Sequence, residues 1–172
     1  MPSTVAELDS SDRATFVAVL GGLFEHSPWV AEGTYDKRPF RDADHLHAAL
    51  CATMMAAPRD MQLALVRAHP DLAGRMAAAG QLTPESTREQ AAAGLDRLTP
   101  SEAAEIQRLN QAYKDRFEFP FVICARLNAK DAILAAMRTR LKNDSEAELS
   151  TALAEIAKIA RLRLNEAVSH PS

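Results

Sequence analysis

The clearest candidate for proton chemistry is the histidine in the stretch RAHPDLAGR, residues 67–75. An apolar helical pattern precedes His69, and Pro70 disfavours helical backbone at the residue before it, so we expect that helix to end at or just before His69. Asp71 can cap a short helix over 72–79, which would place His69 in a tight elbow between two helices. An imidazole there could act as a general acid or base, or could only bond a carbonyl at the helix C-terminus, which is the commoner outcome.

A second polar cluster lies in TPESTREQ, residues 83–90, where a Thr-Pro pair is typical of a helix start. Ser86, Glu89 and Gln90 are spaced i, i+3 and i+4, so a hydroxyl, a carboxylate and an amide share one helix face. Such a face could bind a polar, amide-rich ligand. Ser86 and Glu89 also fit a capping box, and a solvated polar face is the more frequent result of such a pattern.

A third candidate is an arginine in the long helix predicted near the C-terminus. At about 100° per residue, Arg163 lies within roughly 20° of Ile156 on the apolar stripe, whereas Arg161 points some 140° away. A guanidinium on a core-facing stripe is costly unless it meets an anion. Arg163 therefore implies a buried carboxylate partner, from the protein or from a ligand.

Other kinds of site find little support in the sequence. The five histidines are scattered, and His45 and His47 diverge because they are two residues apart on a predicted helix. The chain has no HExxH zinc motif, no GxSxG nucleophile elbow and no glycine-rich phosphate loop. Among enzymatic functions, this pattern leaves acid/base chemistry that uses no metal and no cofactor.

The elements that position these residues are predicted to be helices. Apolar residues recur at helical spacing along most of the chain, and residues 99–102 and 145–148 each fit a capping box at a helix start. The nearest candidate for a strand is FPFVICA, residues 119–125, but one short run does not make a sheet. We therefore predict an all-α fold, a single-domain helical bundle of about seven to eight helices over residues 1–172.

Composition restricts the expected partners and compartment. The chain has 172 residues and 47% hydrophobic content, which is enough for one domain with a sizeable core. A net charge of −3 provides no basic field, so neither nucleic acid nor a membrane surface is an expected partner. The two cysteines lack CxxC spacing, and no signal sequence or membrane-spanning apolar run is visible. These features favour a cytoplasmic location.

Several segments resemble one family, in order, over most of the chain: FEHSPWVAE (24–32), RPF (38–40), QLALVRAHPDLAGR (62–75), LTPESTREQAAAGLDRL (82–98), LNQAYKDRFEFPFVICAR (109–126) and EIAKIARLRL (155–164). The succession of HPDLAG and ESTREQ is far more specific than a lone capping box. The chain resembles 2-oxo-4-hydroxy-4-carboxy-5-ureidoimidazoline (OHCU) decarboxylase, which forms (S)-allantoin in urate catabolism. The resemblance implies an all-helical homodimer that acts on a small ureidoimidazoline without a metal or a cofactor.

The resemblance also assigns roles to individual residues. It implies that His69 and Glu89 are catalytic and that Arg163 binds the substrate carboxylate. Further substrate contacts are implied for Pro70, Ser86 and Gln90, and for main-chain groups of Phe121, Val122, Ile123 and Cys124. The family usually has glycine where this chain has Glu118, so a positive φ at that position would cost stability.

Two alternatives use the same residues. A non-catalytic helical module could bind a ureide or a protein partner through the ESTREQ face. The combination of His69, Glu89 and an inward Arg163 argues against it, because a module that only binds has less need for an acid/base group. A cofactor-free hydrolase of cyclic amides is separated from a decarboxylase only by product analysis.

Overall fold

The protein is helical throughout the part of the chain that the structure, a computed structural model, describes: residues 3–74 and 80–169. Nine α-helices lie in these residues, two of them only six residues long, together with three 3-10 helices. No strand occurs in these ranges, where an isolated parallel bridge joins Ser3 to Val168. The predicted all-α class is confirmed.

The α-helices are numbered in chain order. They are α1 (Val5–Ser10), α2 (Arg13–Leu20), α3 (Trp29–Thr34), α4 (Ala43–Ala56), α5 (Arg59–Arg67), α6 (Pro84–Ala92), α7 (Pro100–Phe117), α8 (Lys130–Arg140) and α9 (Ser145–Ala167). The 3-10 helices are Gly21–Leu23, Tyr35–Lys37 and Ala125–Leu127. None of the described helices is both long and apolar enough to cross a membrane.

The chain divides into two compact units, the first containing residues 3–68 and 156–169. Its core is formed by large apolar side chains from α2, α4, α5 and α9, which are fully buried because each helix turns one apolar stripe inward. Phe16 lies at the centre, with its ring 5.4 Å from that of Tyr35 and 6.3 Å from that of Phe40. This unit holds Arg163.

The second unit contains residues 69–74 and 80–155. The ring of Tyr113 on α7 lies 4.6 Å from that of Phe117 and 5.3 Å from that of Phe121, and all three residues are buried. Aromatic rings at these separations add to the stability gained by burying their surface. This unit holds the other candidate site residues.

Two predicted helix boundaries agree with the structure. Helix α5 ends at Arg67 with Ala68 as its C-cap, so the chain leaves the helix just before His69. Helix α7 begins with the predicted capping box, in which Thr99 N donates to Glu102 Oε1 (3.0 Å) and Glu102 N donates to Thr99 Oγ1 (3.1 Å). Local signals were sufficient at both places.

Two local predictions differ from the structure. The cap of α9 is Asp144, whose Oδ1 accepts from Ala147 N (2.8 Å), so the capping box predicted to start at Ser145 is wrong. Residues 72–74 form a turn in which Ala73 has a φ of 51°, and the remaining residues of the helix predicted over 72–79, 75–79, lie outside the described residues. The run 119–125, the nearest candidate for a strand, is irregular up to Cys124, and the 3-10 helix begins at Ala125, so the expectation that this run makes no sheet agrees with the structure.

Candidate active site

Residues 69–73, here called the elbow, carry His69 and follow the C-cap of α5. Side chains of two later helices bind this segment by hydrogen bonds. Asp71 Oδ2 accepts from Lys114 Nζ at 2.7 Å, and Leu72 O accepts from Asn110 Nδ2 at 3.0 Å. Ala73 N donates to Gln90 Oε1 at 2.9 Å. Because residues 71–73 are bonded to side chains of α6 and α7, the backbone that follows His69 is fixed within the second unit. His69 itself is half-buried.

The polar face of α6 is buried rather than solvated. Thr83 caps the helix by accepting from Ser86 N at 3.2 Å, and Pro84 occupies the first helical position. Ser86, Glu89 and Gln90 are 6%, 8% and 7% exposed. The helix start at Pro84 rules out the alternative capping box from Ser86 to Glu89, and the hydroxyl, carboxylate and amide are held inside the protein, where polar groups need partners.

Gln90 has a fixed orientation. Only its amide oxygen can accept from Ala73 N–H, so the amide nitrogen Nε2 points away from the elbow as a donor. Within the described chain, Nε2 has no hydrogen-bond acceptor. A cavity of about 450 Å³ opens beside this side chain. Its lining is mostly apolar and consists of Ala73, Gly80, Leu82, Thr87, Gln90, Ala91, Leu95, Asp96, Leu98 and Ala103.

The segment Phe121, Val122, Ile123 and Cys124 is buried, and its main chain is held by side chains. Cys124 N donates to Glu155 Oε1 at 3.2 Å, and Val122 O accepts from Arg140 Nη1 at 2.7 Å. In the part of the chain that the structure describes, the amide N–H groups of Phe121, Val122 and Ile123 have no acceptor. Buried backbone donors are nearly always paired, so these amides are suited to bind an anionic ligand.

The structure brings helix α6 close to the end of this segment. Helix α6 packs against the 3-10 helix Ala125–Leu127, which continues directly from Cys124. The elbow joins the same group through the hydrogen bond between Ala73 and Gln90. The second unit thus contains the segment with His69, the buried polar face of α6 and the main chain of residues 121–124.

Arg163 points inward, as predicted, and its carboxylate partner comes from the protein. Its Nη2 donates to Glu25 Oε2 at 2.9 Å and its Nη1 donates to Gly22 O at 3.2 Å, all within the first unit. The side chains of Arg163 and Glu25 are 5% and 1% exposed. Arg161, on the opposite side of α9, pairs with the exposed Asp44 instead.

Sequence reasoning missed a buried charge network behind the 121–124 segment. Arg140 Nε donates to Glu148 Oε1, and this carboxylate also accepts from Tyr113 Oη, both at 2.5 Å. Burial, and next the hydrogen bond to Glu148, raise the pKa of Tyr113 far above its ordinary value. A signal was present, because Arg140 lies seven residues after Ile133 and three after Met137, on the apolar stripe of its helix.

The cysteines take no part in a disulfide. Cys51 Sγ lies 3.4 Å from Nε2 of His47, one turn earlier on α4, and burial raises the pKa of the Cys51 thiol. A raised pKa disfavours the thiolate and hence nucleophilic reactivity. Cys124 is buried in the 121–124 segment, and its main-chain N–H donates to Glu155.

Comparisons with known proteins point to one family. The family model described as OHCU decarboxylase matches residues 9–165. The chain is 43% identical over 166 residues to the 2-oxo-4-hydroxy-4-carboxy-5-ureidoimidazoline decarboxylase of Haloferax volcanii, covering 96% of each chain. It is 37% identical to the uric acid degradation bifunctional protein PucL of Bacillus subtilis, over 96% of this chain and 33% of that protein.

A solved structure agrees with this match. The crystal structure of an (S)-allantoin synthase superposes with a TM-score of 0.79 at 31% identity, covering 98% of this chain. The chain spans 54% of the length of that solved protein. The family model runs through both compact units and contains every candidate site residue. The chain belongs to the OHCU decarboxylase family.

Proposed function

We propose that this protein decarboxylates 2-oxo-4-hydroxy-4-carboxy-5-ureidoimidazoline to (S)-allantoin in urate catabolism. Membership of the family supports the reaction. The observation that carries the proposal is the hydrogen bond from Ala73 N to Gln90 Oε1 (2.9 Å), which ties the His69 elbow to a helix face where Glu89 and Ser86 are buried. An acid/base imidazole and a polar, amide-binding face are what a ureide substrate requires.

The substrate can supply its own electron sink. When the bond between the ring carbon and its carboxylate breaks, CO2 leaves and the bonding electron pair stays on the carbon that bears the hydroxyl. The conjugated imidazolone ring accepts that pair as an enolate-like system. The neighbouring ring carbon, which bears the ureido group, is then protonated from one face, which sets the S configuration, and the hydroxyl loses its proton as its carbon becomes the carbonyl of allantoin. In this scheme no cofactor is needed to hold the electrons, and the protein orients the substrate and controls the proton.

His69 is the proposed proton carrier, which polarises the substrate hydroxyl or protonates the intermediate from one side. Glu89, whose carboxylate is buried, is proposed to hydrogen-bond the hydroxyl and the imidazole. Ser86, Pro70 and Gln90 are proposed to hold the ureido and ring groups. The role proposed for Gln90 is supported by its hydrogen bond with Ala73 N, which uses the amide oxygen and leaves the amide nitrogen pointing away from the elbow as a donor.

Anion binding is divided between main chain and side chain in this proposal. The amides of Phe121, Val122 and Ile123 stabilise the negative charge that develops on the ring, whereas the Cys124 amide, to which the resemblance gives the same role, donates to Glu155. Arg163, by resemblance to the family, binds the substrate carboxylate. Two of its nitrogens already donate to Glu25 and to Gly22 O, but a guanidinium has five N–H donors and can bind a further acceptor.

The assignment of His69 and Glu89 is tested by substitution. His69→Ala and Glu89→Gln should keep the wild-type circular dichroism spectrum and lose turnover by about 10²–10⁴-fold, the usual contribution of a positioned acid or base. Glu85→Gln on the same helix and His45→Ala on α4 are matched controls and should retain the wild-type rate. Near-normal rates in either site variant would remove that residue from the mechanism.

We also propose that residues 1–172 act as one catalytic domain in a cytoplasmic homodimer. The continuous family match over residues 9–165 supports the single domain. Sedimentation equilibrium should give twice the 18.7 kDa chain mass, and a monomer at micromolar concentration would contradict the dimer.

A further inference from the structure

The peptide that joins Val122 to Ile123 is held from one side. Its carbonyl oxygen accepts from Arg140 Nη1 at 2.7 Å. The peptide is trans, so its C=O and its N–H point in opposite directions. The Ile123 N–H therefore points away from Arg140, and it has no acceptor among the residues that the structure describes.

The next peptide is held from its other end. Its N–H, that of Cys124, donates to the buried carboxylate of Glu155 at 3.2 Å. Two side chains thus fix two consecutive peptide planes, but they leave different donors available. Of the two amides, Cys124 N–H already has an anionic partner in the protein, whereas Ile123 N–H is available for a ligand.

Arg140 is itself held firmly. Its guanidinium lies over the ring of Phe121, with 4.2 Å from Cζ to the ring centroid, and its Nε donates to Glu148. Glu148 is fully buried and also accepts from Tyr113 Oη and from Asn143 Nδ2. A buried guanidinium with a stacked face and two bonded nitrogens has little freedom to turn.

The third nitrogen of this guanidinium gives a further indication. Arg140 Nη2 is buried and has no hydrogen-bond partner among residues 3–74 and 80–169, which is costly for a charged donor. The ion pair between Arg140 and Glu148 does not by itself explain why the guanidinium is oriented with Nη2 lacking an acceptor among the described residues. The orientation that leaves Nη2 unpaired is the one that brings Nη1 to the carbonyl of Val122.

We propose that Arg140 is a positioning residue that acts through the Val122–Ile123 peptide and aims the Ile123 N–H at the charge that develops on the substrate. This inference rests on the proposed decarboxylation. A donor that is already oriented needs no reorganisation when charge appears, so its value lies in the transition state more than in substrate binding. Loss of the orientation should therefore lower kcat much more than it raises KM.

The test uses Arg140→Lys. Lysine keeps the positive charge beside Glu148 but cannot reproduce the planar fork that reaches Val122 O at the same time. A donor displaced by about 1 Å can lose on the order of 100-fold in rate, so kcat should fall by about that factor while KM changes by less than about threefold. Wild-type kcat in a folded Arg140→Lys variant would overturn the inference.

Arg138→Lys is the matched control. It makes the same substitution two residues earlier on α8, where the guanidinium donates to Glu105 and has no part in the bonds to Glu148 and Val122. It should leave kcat near the wild-type value. If Arg140→Lys lowered only the unfolding midpoint and left kcat unchanged, the role of Arg140 would be structural only, and the inference would be wrong.

A measurement on the unaltered protein covers the case in which Arg140→Lys does not fold. On addition of (S)-allantoin to the ¹⁵N-labelled wild type, the Ile123 amide resonance should shift and the Cys124 amide, held by Glu155, should shift much less. An unmoved Ile123 amide at saturation would overturn the inference. Failure of the proposed function is a separate result, because it would appear as a wild type that does not accelerate decarboxylation.

Discussion

Replacing Glu118 by glycine is expected to stabilise the protein. Glu118 follows the last residue of α7 and has a φ of 61° and a ψ of 24°, in the left-handed region. Its N–H donates to Lys114 O at 2.8 Å and so completes the helix end, a bond that glycine would keep. A carboxylate at a helix C-terminus also interacts unfavourably with the helix dipole.

The size of the effect follows from this geometry. A left-handed backbone costs a residue with a side chain about 1–2 kcal/mol, and glycine avoids this cost. Glycine also lowers the free energy of unfolding by about 0.4–1 kcal/mol, because it increases the conformational entropy of the unfolded chain. The net gain should be about 0.5–1 kcal/mol, which for a chain of this size raises Tm by roughly 1–4 °C.

Differential scanning calorimetry of three variants tests the reasoning. Glu118→Ala removes the carboxylate but keeps the left-handed strain, so it should gain much less than Glu118→Gly. Gln107→Gly, at an exposed position inside α7, should lose about 1 kcal/mol because its backbone is helical. If Glu118→Ala and Glu118→Gly raised Tm equally, the gain would come from the carboxylate, and the argument from φ would be refuted.

Further outcomes are expected from substitutions and from a change of pH. Glu25→Gln should lower the free energy of unfolding by about 3–5 kcal/mol in urea titrations, because it leaves Arg163 charged and buried without its carboxylate. Asp44→Asn, which removes an ion pair with an exposed carboxylate, should cost no more than about 1 kcal/mol. Because burial raises the pKa of Tyr113, its phenol should stay protonated through pH 10 in ultraviolet titration of the folded protein. The unfolded chain loses the Tyr113 proton there while the folded chain keeps it, so stability should fall above pH 10 by up to about 1.4 kcal/mol per pH unit. Gln90→Glu, which keeps an acceptor for the elbow but loses the amide donor, should raise KM by about tenfold or more, and an unchanged KM would contradict the donor role.

Helix positions were accessible from the sequence because their signals are local. The start of α7 and the end of α5 depend on a few neighbouring residues, and both agree with the structure. The cap of α9 was misplaced because Asp144 and Ser145 are adjacent and both are good capping residues. A choice between two such neighbours depends on packing, which periodicity does not encode.

Long-range partners were not accessible in this way. The left-handed turn at Ala73 is stabilised by a bond to Gln90, 17 residues later, which no local pattern reveals. For Arg163, helix geometry predicted the inward direction, but its partner Glu25 lies 138 residues away in sequence. The same geometric criterion, applied to Arg140, would have identified the charge network behind the 121–124 segment.

The burial of the ESTREQ face also required the structure. A hydroxyl, a carboxylate and an amide at i, i+3 and i+4 look the same on a solvated helix and on a buried one. The three side chains are each less than a tenth exposed, which sequence composition alone would have made the less expected outcome. This burial is what distinguishes a candidate site from a surface helix.

The most direct test of the account is the stereochemistry of the product. The intermediate is generated freshly from urate, the purified wild-type protein is added, and the optical activity of the allantoin is followed in time. Rapid formation of the S enantiomer is expected, and His69→Ala should abolish the acceleration. Racemic allantoin formed at the spontaneous rate in the presence of the wild type would contradict it.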